Sequence, residues 1–259
     1  MNNLPKISAI IPTCDRPQFL REAIDSIRAQ TFQPIEIIVA NNGKEPLPEG
    51  FFGEDVKIKN LEPYVGVSAA RNSGAEAAKG DCLAFLDDDD KWGEDFLKNL
   101  AATMTRANAD YIVADKWSFD GKSAPQFGTS YTHYAKGTQE SLCGINPGLG
   151  GGNFLVKTKP FWAAGGFDEG VTMGEDQLLP CELAFQGYKI VGEPKARYYA
   201  RKHHEPRLHY KYPRYCMQLY NKTKHQMTLQ QKTLHILRTC QRVVKYEFRA
   251  IKRSIRNAG

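Results

Sequence analysis

The chain has 259 residues, of which 41% are hydrophobic and 25% charged, and its formal net charge at pH 7 is +6. This length can bury a full core in one large domain, or in one domain with an appendage. The apolar runs are too short for a transmembrane helix, no secretory signal precedes the first apolar run, and the six cysteines lack CxxC spacing. These features predict a cytoplasmic protein with reduced thiols, and they argue against a disulfide framework or a zinc site.

The charge is distributed unevenly along the chain. Residues 201–259 contain 15 Lys and Arg and only two acids, a net charge of +13, so that residues 1–200 together carry −7. We therefore expect a mildly acidic body over residues 1–205 and a strongly basic helical extension over residues 206–259. Such an extension favours anionic partners, namely lipid head groups, phosphates or nucleic acid.

Strands and helices alternate in the first part of the chain. Four apolar runs predict strands, at residues 7–12, 35–40, 56–58 and 83–86. Helical spacing of apolar and small residues predicts one helix that begins near Pro17 and another over residues 68–79, which Gly80 ends. This order argues for a parallel sheet with right-handed crossovers, and thus for the α/β class.

The second part of the chain is less regular. Helices are predicted over residues 94–106 and 176–186 and beyond about residue 215, and strands over residues 111–114, 150–156 and 188–191. The segment 117–150 is rich in Gly, Ser, Thr and Tyr, which predicts a long loop region.

Four consecutive aspartates, Asp87 to Asp90, follow the apolar run at residues 83–86. Carboxylates repel one another, so the cluster opposes folding unless a cation neutralises it. Oxygen ligands of this kind suit a hard divalent ion such as Mg²⁺ or Mn²⁺. At the carboxyl end of a central strand, where α/β proteins bind ligands, the cluster predicts a metal site, with a solvated acidic loop as the alternative.

Several motifs, in this order and spacing, resemble those of family 2 glycosyltransferases. They are residues 10–17 (IIPTCDRP), 29–31 (AQT), 37–39 (IIV), 68–74 (SAARNSG), 84–92 (AFLDDDDKW), 165–169 (GGFDE) and 174–176 (GED). The resemblance covers roughly residues 6–205. It implies an inverting, nucleotide-sugar-dependent enzyme with a GT-A fold, a Rossmann-like and mostly parallel sheet flanked by helices. A nucleotide-binding half over about residues 1–115 and an acceptor half over about residues 116–205 are then expected.

The resemblance also implies which residues hold the metal. By the DxD logic of the family, Asp89 is the direct ligand of Mn²⁺ or Mg²⁺, and Asp88 faces the ribose or the water shell of the metal. Asp87 assists either of them, as a metal ligand or as a donor-binding residue, and Asp90 caps the following turn. His203 is implied as a further ligand, or as a hydrogen-bond partner of the diphosphate. The ion would stabilise the departing diphosphate as a Lewis acid.

Side chains at the ends of the first two predicted strands are expected to bind the base of the donor. These are Thr13, Asp15, Asn41 and Asn42. The family usually carries an acid at one or both of these places, whereas an Asn both accepts and donates hydrogen bonds, so the identity of the nucleotide stays open. A plain turn over residues 41–43 is the alternative.

The remaining site residues are also implied by the resemblance. Arg71 contacts the nucleotide, with a surface ion pair as the alternative, and Arg201 neutralises phosphate. Asp176 is the general base that inversion requires, and Glu175 orients the acceptor or holds the loop. The alternative for Asp176 is capping of the helix start. The glycine run at residues 148–152 is expected to let the backbone approach the donor sugar or the acceptor closely.

We therefore expect a metal-dependent transferase that moves a sugar to a hydroxyl of a glycan or lipid-linked acceptor, in the synthesis of bacterial surface polysaccharide or lipopolysaccharide. The basic extension would contact the anionic inner face of the plasma membrane. One alternative is a nucleic-acid-binding protein, which the acidic body opposes. Another is a nucleotidyltransferase, which would normally need a basic Gly-rich phosphate loop near the first strand. The donor sugar, the acceptor and the oligomeric state stay open.

Overall fold

The structure, a computed structural model, describes residues 4–121, 123–130, 150–171, 173–202, 212–233, 235–237 and 239–240. Its strands are β1 (Ile7–Thr13), β2 (Glu36–Asn41), β3 (Val56–Asn60), β4 (Cys82–Phe85), β5 (Lys91–Trp92), β6 (Tyr111–Phe119), β7 (Gln126–Thr129), β8 (Phe154–Lys157) and β9 (Ile190–Arg201). Its helices are α1 (Pro17–Arg28), α2 (Val67–Ala77), α3 (Phe96–Ala107), α4 (Thr158–Ala163), α5 (Glu175–Phe185) and α6 (Tyr212–Thr223). None of the helices described is long and apolar enough to cross a bilayer.

The strands form one sheet in the order β3-β2-β1-β4-β8-β6-β9-β5, and β7 pairs with β6. The first four strands run parallel, as predicted, and helices flank the sheet, which confirms the α/β fold. β8 is antiparallel to β4 and β6, so β6 and its parallel neighbour β9 point the same way as β4. The carboxyl ends of β1, β2, β4, β6 and β9 therefore lie at one edge of the sheet, called here the carboxyl edge.

Apolar side chains cover both faces of the sheet. Ile7, Ala9 and Ile11 alternate along β1 and pack with the buried residues of α1 and α3, whereas Ile10 points to the opposite face and packs with residues of α2, α4 and α5. Close approach of α2 to β1 needs a glycine, because a Cβ at Gly74 would lie 2.5 Å from Cγ2 of Ile10. This packing fixes the start of α2 beside the carboxyl edge.

Helix α2 ends earlier than predicted, at Ala77, and Gly80 does not cap it. Ala78 already has an extended backbone. The N–H of Gly80 donates to Ser8 Oγ at 2.9 Å, and a Cβ at Gly80 would lie 2.6 Å from the Ser8 nitrogen. Glycine is needed here because two backbones approach each other closely, not because the helix ends in a left-handed turn.

The second half contains more regular structure than the sequence predicts. Within the segment predicted as a long loop, β6 continues to Phe119 beside β9, and β7 pairs with β6 in antiparallel fashion. The strand predicted over residues 188–191 extends to Arg201, and the prediction lacks both β5 and α4. Residues 131–149 lie outside the described residues.

The described part of the basic extension packs on the body. Leu219 of α6 is buried with Leu178 of α5, and Met227 joins the core on the same face of the sheet. Lys222 Nζ pairs with Asp168 Oδ2 at 2.5 Å. The predicted boundary between residues 205 and 206 stays a prediction, since residues 203–211 lie outside the described residues.

Candidate active site

The four aspartates lie directly beyond β4, at the carboxyl edge, as predicted. The N–H of Leu86 still donates to the Ile10 carbonyl of β1 at 2.9 Å, and the chain then turns, so that the N–H of Asp90 donates to the Asp87 carbonyl at 3.1 Å. Residues 87–90, called here the acidic loop, thus lie beside the end of β1. Each of the four carboxylates has a different set of partners.

Asp90 is buried and fastens the acidic loop to β9. One of its carboxylate oxygens accepts a hydrogen bond from the Tyr198 hydroxyl, and the other accepts one from the N–H of Arg201 at 2.7 Å. Burial and the charges of Asp87 and Asp89 raise the pKa of Asp90 to about 7. Asp90 therefore anchors the loop to β9, and these contacts do not support the predicted capping of the following turn.

Asp88 points to the end of β1 and is only 1% exposed. Thr13 Oγ1 donates a hydrogen bond to its Oδ2 at 2.7 Å, and Arg16 Nη2 lies 2.5 Å from its Oδ1. Burial raises the pKa of Asp88 to about 6, although the charge of Arg16 acts in the opposite direction. Thr13 and Asp88, both predicted to contact the donor, thus bind each other and join the acidic loop to β1.

Asp89 shares the guanidinium of Arg16 with Asp88. Arg16 Nη1 lies 2.9 Å from Asp89 Oδ2, so one side chain spans two carboxylates of the acidic loop. No motif predicted Arg16 as a site residue. The available signal is its position directly after Asp15, at the end of a strand that the topology places beside β4.

Arg201, the last residue of β9, contacts the acidic loop and helps to fix its position. Its Nε donates to the Asp89 carbonyl at 2.8 Å, and its Nη2 pairs with Glu22 at 2.9 Å. The guanidinium also lies over two aromatic rings, 4.7 Å from the centroid of Phe19 and 4.6 Å from that of Phe119. In this structure Arg201 thus binds protein groups, and its predicted role toward phosphate stays a prediction.

Arg71 joins the acidic loop to the start of α5. It is 3% exposed, its Nη2 lies 2.6 Å from Asp87 Oδ1, and its Nη1 lies 2.7 Å from Glu175 Oε1. The guanidinium lies 5.1 Å from the centroid of the Phe167 ring. Burial opposes the charge, but the carboxylates of Asp87, Glu175 and Asp176 outweigh burial and raise the pKa of Arg71. Arg71 therefore forms a buried two-sided ion bridge and not the surface ion pair left as the alternative, while its predicted contact with the nucleotide stays a prediction.

Asp176 is the second residue of α5 and is half-buried beside Glu175. Among the described residues its carboxylate has no hydrogen-bond or ion-pair partner. The residue at the cap of α5 is Gly174, with a φ of 86° and no side-chain hydrogen bond, so capping by Asp176 is not observed. Burial, assisted by Glu175, raises the pKa of Asp176 well above the ordinary range, whereas Arg71 and Lys116 lower it. These are the properties of a general base.

Asn41 shapes the turn after β2. The residue is 3% exposed, its Nδ2 donates to the Glu45 carbonyl and to Asn60 Oδ1, both at 2.9 Å, and its Oδ1 accepts from the N–H of Gly43 at 3.0 Å. Asn42 is 5% exposed as well. The geometry of Asn41 favours the plain turn that the sequence left as an alternative, while binding of the base stays a prediction.

Asp15 is the predicted base-binding residue that remains exposed. It has a φ of 56°, and its carboxylate accepts hydrogen bonds from the N–H of Lys44 at 2.8 Å and from the Tyr64 hydroxyl at 3.0 Å. Tyr64 is 62% exposed. This pair lies at the solvent side of the ends of β1 and β2, and the predicted role of Asp15 in binding the base stays a prediction.

Two glycines before β8 bring the backbone against the ion bridge of Arg71. A Cβ at Gly151 would collide with Arg71 Nη2 and lie 2.8 Å from Asp87 Oδ1, and one at Gly152 would lie 2.6 Å from the Tyr198 ring. The glycine run was expected to permit close approach to a ligand. The structure shows that it permits close approach to the side chains of the acidic loop and its neighbours.

The acidic loop offers oxygen ligands of the type that a hard divalent ion prefers. Asp87 and Asp89 offer carboxylate oxygens on side chains that are 29% and 14% exposed. In the ranges that the structure covers, these oxygens lie against Arg71 and Arg16, and no three His, Cys, Asp or Glu side chains are arranged to hold an ion. The predicted ligand His203 lies outside the described residues.

A comparison with protein-family models identifies the class of protein. The model "Glycosyl transferase family 2" matches residues 8–165, which extend from β1 beyond α4 and include the acidic loop. The chain thus belongs to glycosyltransferase family 2. Membership of this family supports the expected class, and it lends no support to the nucleic-acid-binding protein and the nucleotidyltransferase that the sequence left as alternatives.

Curated relatives match part of the chain. Glycosyltransferase YwdF of Bacillus subtilis is 33% identical over 133 residues, which are 50% of this chain and 50% of the relative. The GalNAc(5)-diNAcBac-PP-undecaprenol beta-1,3-glucosyltransferase of Campylobacter jejuni is 34% identical over 115 residues, 42% of this chain and 36% of the relative. The aligned part of the chain therefore spans half or less of the length of these relatives.

Solved structures share the fold. Staphylococcus aureus TarS, residues 1–349, superposes with a TM-score of 0.65 at 20% identity, over 89% of this chain and 70% of TarS. The same protein in complex with UDP-GlcNAc gives a TM-score of 0.60 at 19% identity, over 83% of this chain and 67% of TarS. These likenesses support the GT-A type of α/β fold.

Proposed function

We propose that this protein is an inverting glycosyltransferase that moves a sugar from a nucleoside-diphosphate donor to a hydroxyl of a glycan or lipid-linked acceptor. Membership of family 2 supports glycosyl transfer. The structural relative TarS has been solved in complex with UDP and with UDP-GlcNAc, which supports a donor of this class. The name of the Campylobacter relative contains an undecaprenol-linked glycan, which supports a lipid-linked acceptor.

The proposal of inversion rests on the carboxylate of Asp176. In a single displacement, a general base removes the proton of the acceptor hydroxyl while the acceptor oxygen attacks the anomeric carbon and the bond to the diphosphate breaks. A base needs lone pairs that no other group occupies, and Asp176 has no partner among the described residues. Glu175 is held by Arg71 at 2.7 Å and fixes the start of the helix that presents Asp176.

The donor is proposed to lie along the carboxyl edge. Asp15 contacts the base, since it is exposed at the end of β1, and Asp87 and Asp88 lie on the ribose and diphosphate side. When bound to Asp89 and Asp87, Mn²⁺ or Mg²⁺ would supply positive charge that stabilises the departing diphosphate. Arg201 holds the acidic loop in place through the Asp89 carbonyl.

A role in bacterial surface polysaccharide synthesis follows from the acceptor class. ExoW of Rhizobium meliloti, 34% identical over 116 residues, is named a succinoglycan biosynthesis protein. Lipid-linked acceptors lie at a membrane, and a net charge of +13 over residues 201–259 favours an anionic lipid surface. The proposed place of action is therefore the cytoplasmic face of the plasma membrane.

The substitution Asp176→Asn tests the assignment of the base. The amide cannot accept the proton, so turnover should fall by about 10²-fold or more, while donor affinity is retained. A thermal-shift screen of UDP, GDP, TDP and CMP sugars with Mn²⁺ first identifies the donor, because a true donor stabilises the native state. Release of the nucleotide product then measures turnover.

The matched control is Asp25→Asn on α1, which changes an exposed carboxylate that is 62% accessible and remote from the acidic loop. This variant should keep the wild-type rate. If Asp176→Asn also turned over at the wild-type rate, the base would lie elsewhere. The anomeric configuration of the product, measured by NMR, tests inversion separately, and a retained configuration would refute it.

A further inference from the structure

The acidic loop is neutralised by an arginine of the protein itself. The guanidinium of Arg16 spans Asp88 Oδ1 at 2.5 Å and Asp89 Oδ2 at 2.9 Å. We propose that Arg16 occupies the position on Asp89 that a divalent ion takes, so that the ion and the guanidinium bind this carboxylate in exchange. This inference rests on the proposed metal-dependent function, and it makes Arg16 a positioning residue for metal loading.

The four aspartates explain why a resident cation is needed. Asp87 pairs with Arg71, and Asp90 accepts hydrogen bonds from β9, which leaves Asp88 and Asp89 as adjacent carboxylates that would repel each other. Arg16 compensates this repulsion, so the loop can fold before an ion is present.

Exchange is expected at Asp89 and not at Asp88. Asp88 is 1% exposed and also accepts a hydrogen bond from Thr13, whereas the side chain of Asp89 is 14% exposed. An ion that arrives from solvent therefore reaches Asp89 more easily than Asp88. Arg16 can keep its contact with Asp88 when the contact with Asp89 is replaced.

The backbone around Arg16 is fixed while its side chain can move. Asp15 has a φ of 56°, held by its hydrogen bond from the N–H of Lys44, and Pro17 fixes the first turn of α1. The side chain of Arg16 is 42% exposed. The guanidinium can thus leave Asp89 without any change in the start of the helix.

The test is a titration of the full chain with Mn²⁺ alone, followed by the electron paramagnetic resonance signal of the free ion. Arg16→Gln removes the competing charge and should bind Mn²⁺ about fivefold more tightly, the equilibrium equivalent of one half-exposed ion pair. The matched control is Arg21→Gln, which removes a charge on the same helix whose guanidinium lies 5.3 Å from the Phe52 ring. This control should bind Mn²⁺ with the wild-type affinity.

The possible outcomes distinguish the proposed exchange at Asp89 from the existence of the metal site. Asp89→Ala should abolish Mn²⁺ binding. If it does, and Arg16→Gln binds Mn²⁺ no more tightly than the wild type, the exchange is overturned and the metal site stands. If the wild type binds no Mn²⁺, both are overturned, whereas glycosyl transfer is still tested through Asp176→Asn.

A second measurement needs no variant of Arg16. In the wild type, saturation with Mn²⁺ should increase the modification of Arg16 by phenylglyoxal, because the guanidinium loses one of its two carboxylate partners. Peptide mass spectrometry quantifies the modification relative to Arg21 in α1, the helix that follows Arg16. An unchanged or reduced modification of Arg16 on addition of Mn²⁺ would contradict the exchange.

Discussion

The individual carboxylates at the carboxyl edge have different partners, and these partners indicate which role each carboxylate can have. Asp87 and Glu175 share the buried guanidinium of Arg71, and Asp88 is enclosed by Thr13 and Arg16. Asp176 has no such partner among the described residues. Burial raises the pKa of both Asp88 and Asp176, but Asp176, unlike Asp88, has no partner among the described residues that occupies its lone pairs. We therefore propose Asp176 as the group that accepts the proton of the acceptor hydroxyl.

The pH dependence of turnover should report the pKa of Asp176. The base acts in its deprotonated form, and burial raises its pKa, so kcat should fall as the pH decreases, at values above the ordinary carboxylate pKa of about 4. Measurement of kcat at saturating substrates between about pH 4 and pH 8.5 determines the pH range over which kcat falls. Lys116→Gln removes a charge that lowers the pKa of Asp176 and should shift this decrease in kcat to higher pH. A profile that is flat down to about pH 4 contradicts the assignment.

The position of the site could be predicted from the sequence, but the partners of its side chains could not. The apolar run before Asp87 and the alternation of strands and helices place the acidic loop at the end of a central strand. The contacts of Arg16 and Arg71 join residues 72 and 104 positions apart, namely Asp88 and Glu175. Such pairs depend on strand order and side-chain rotamers, which no local pattern contains.

Whole strands and helices are predicted well only where their own sequence contains the signal, and not where they depend on distant contacts. β1 has strong local periodicity and is predicted within one residue of its observed bounds, and α1 begins at Pro17, where the sequence predicts its start. β5 has only two residues and forms because β9 lies beside it, so its sequence has no signal of its own. The predicted end of α2 at Gly80 is wrong because that glycine serves a tertiary contact with Ser8.

A single added methyl group in the segment directly before β8 should destabilise the protein. In Gly151→Ala the added Cβ collides with Arg71, so the ion bridge between α2, the acidic loop and α5 must shift. We expect a loss of about 1–3 kcal/mol in the free energy of unfolding, measured in urea, together with reduced turnover.

Gly150→Ala is the matched control for this substitution. Its Cβ would make only an ordinary contact, 3.7 Å from the Tyr198 ring, so its stability should change by less than about 0.5 kcal/mol. Equal stability of both alanine variants would mean that the close approach at Gly151 has no energetic consequence.

Over the whole molecule, charge is separated between the acidic body and the basic carboxyl-terminal part. Leu219 and Met227 are buried against the body, so the described part of the extension contributes to the core. Residues 241–259, which lie outside the described residues, contain six Lys and Arg and one Glu. A truncation that removes only this last segment keeps Leu219 and Met227 in the chain.

Removal of residues 241–259 should weaken binding to anionic vesicles. Each cation near such a surface contributes about 1 kcal/mol, so sedimentation with phosphatidylserine vesicles should decrease strongly, whereas neutral vesicles bind neither form. Raised ionic strength should reduce binding of the full chain, since the attraction is screened. Equal sedimentation of the full and shortened chains would exclude this segment as the membrane contact.

The buried guanidinium between Asp87 and Glu175 has a consequence for how the two substrates of the proposed reaction bind. One end of this bridge lies on the proposed donor side, and the other lies beside the proposed base. A donor that displaces Asp87 is therefore expected to displace the start of the helix that presents Asp176. Where it does so, thermodynamic linkage requires that donor and acceptor change each other's affinity by the same factor.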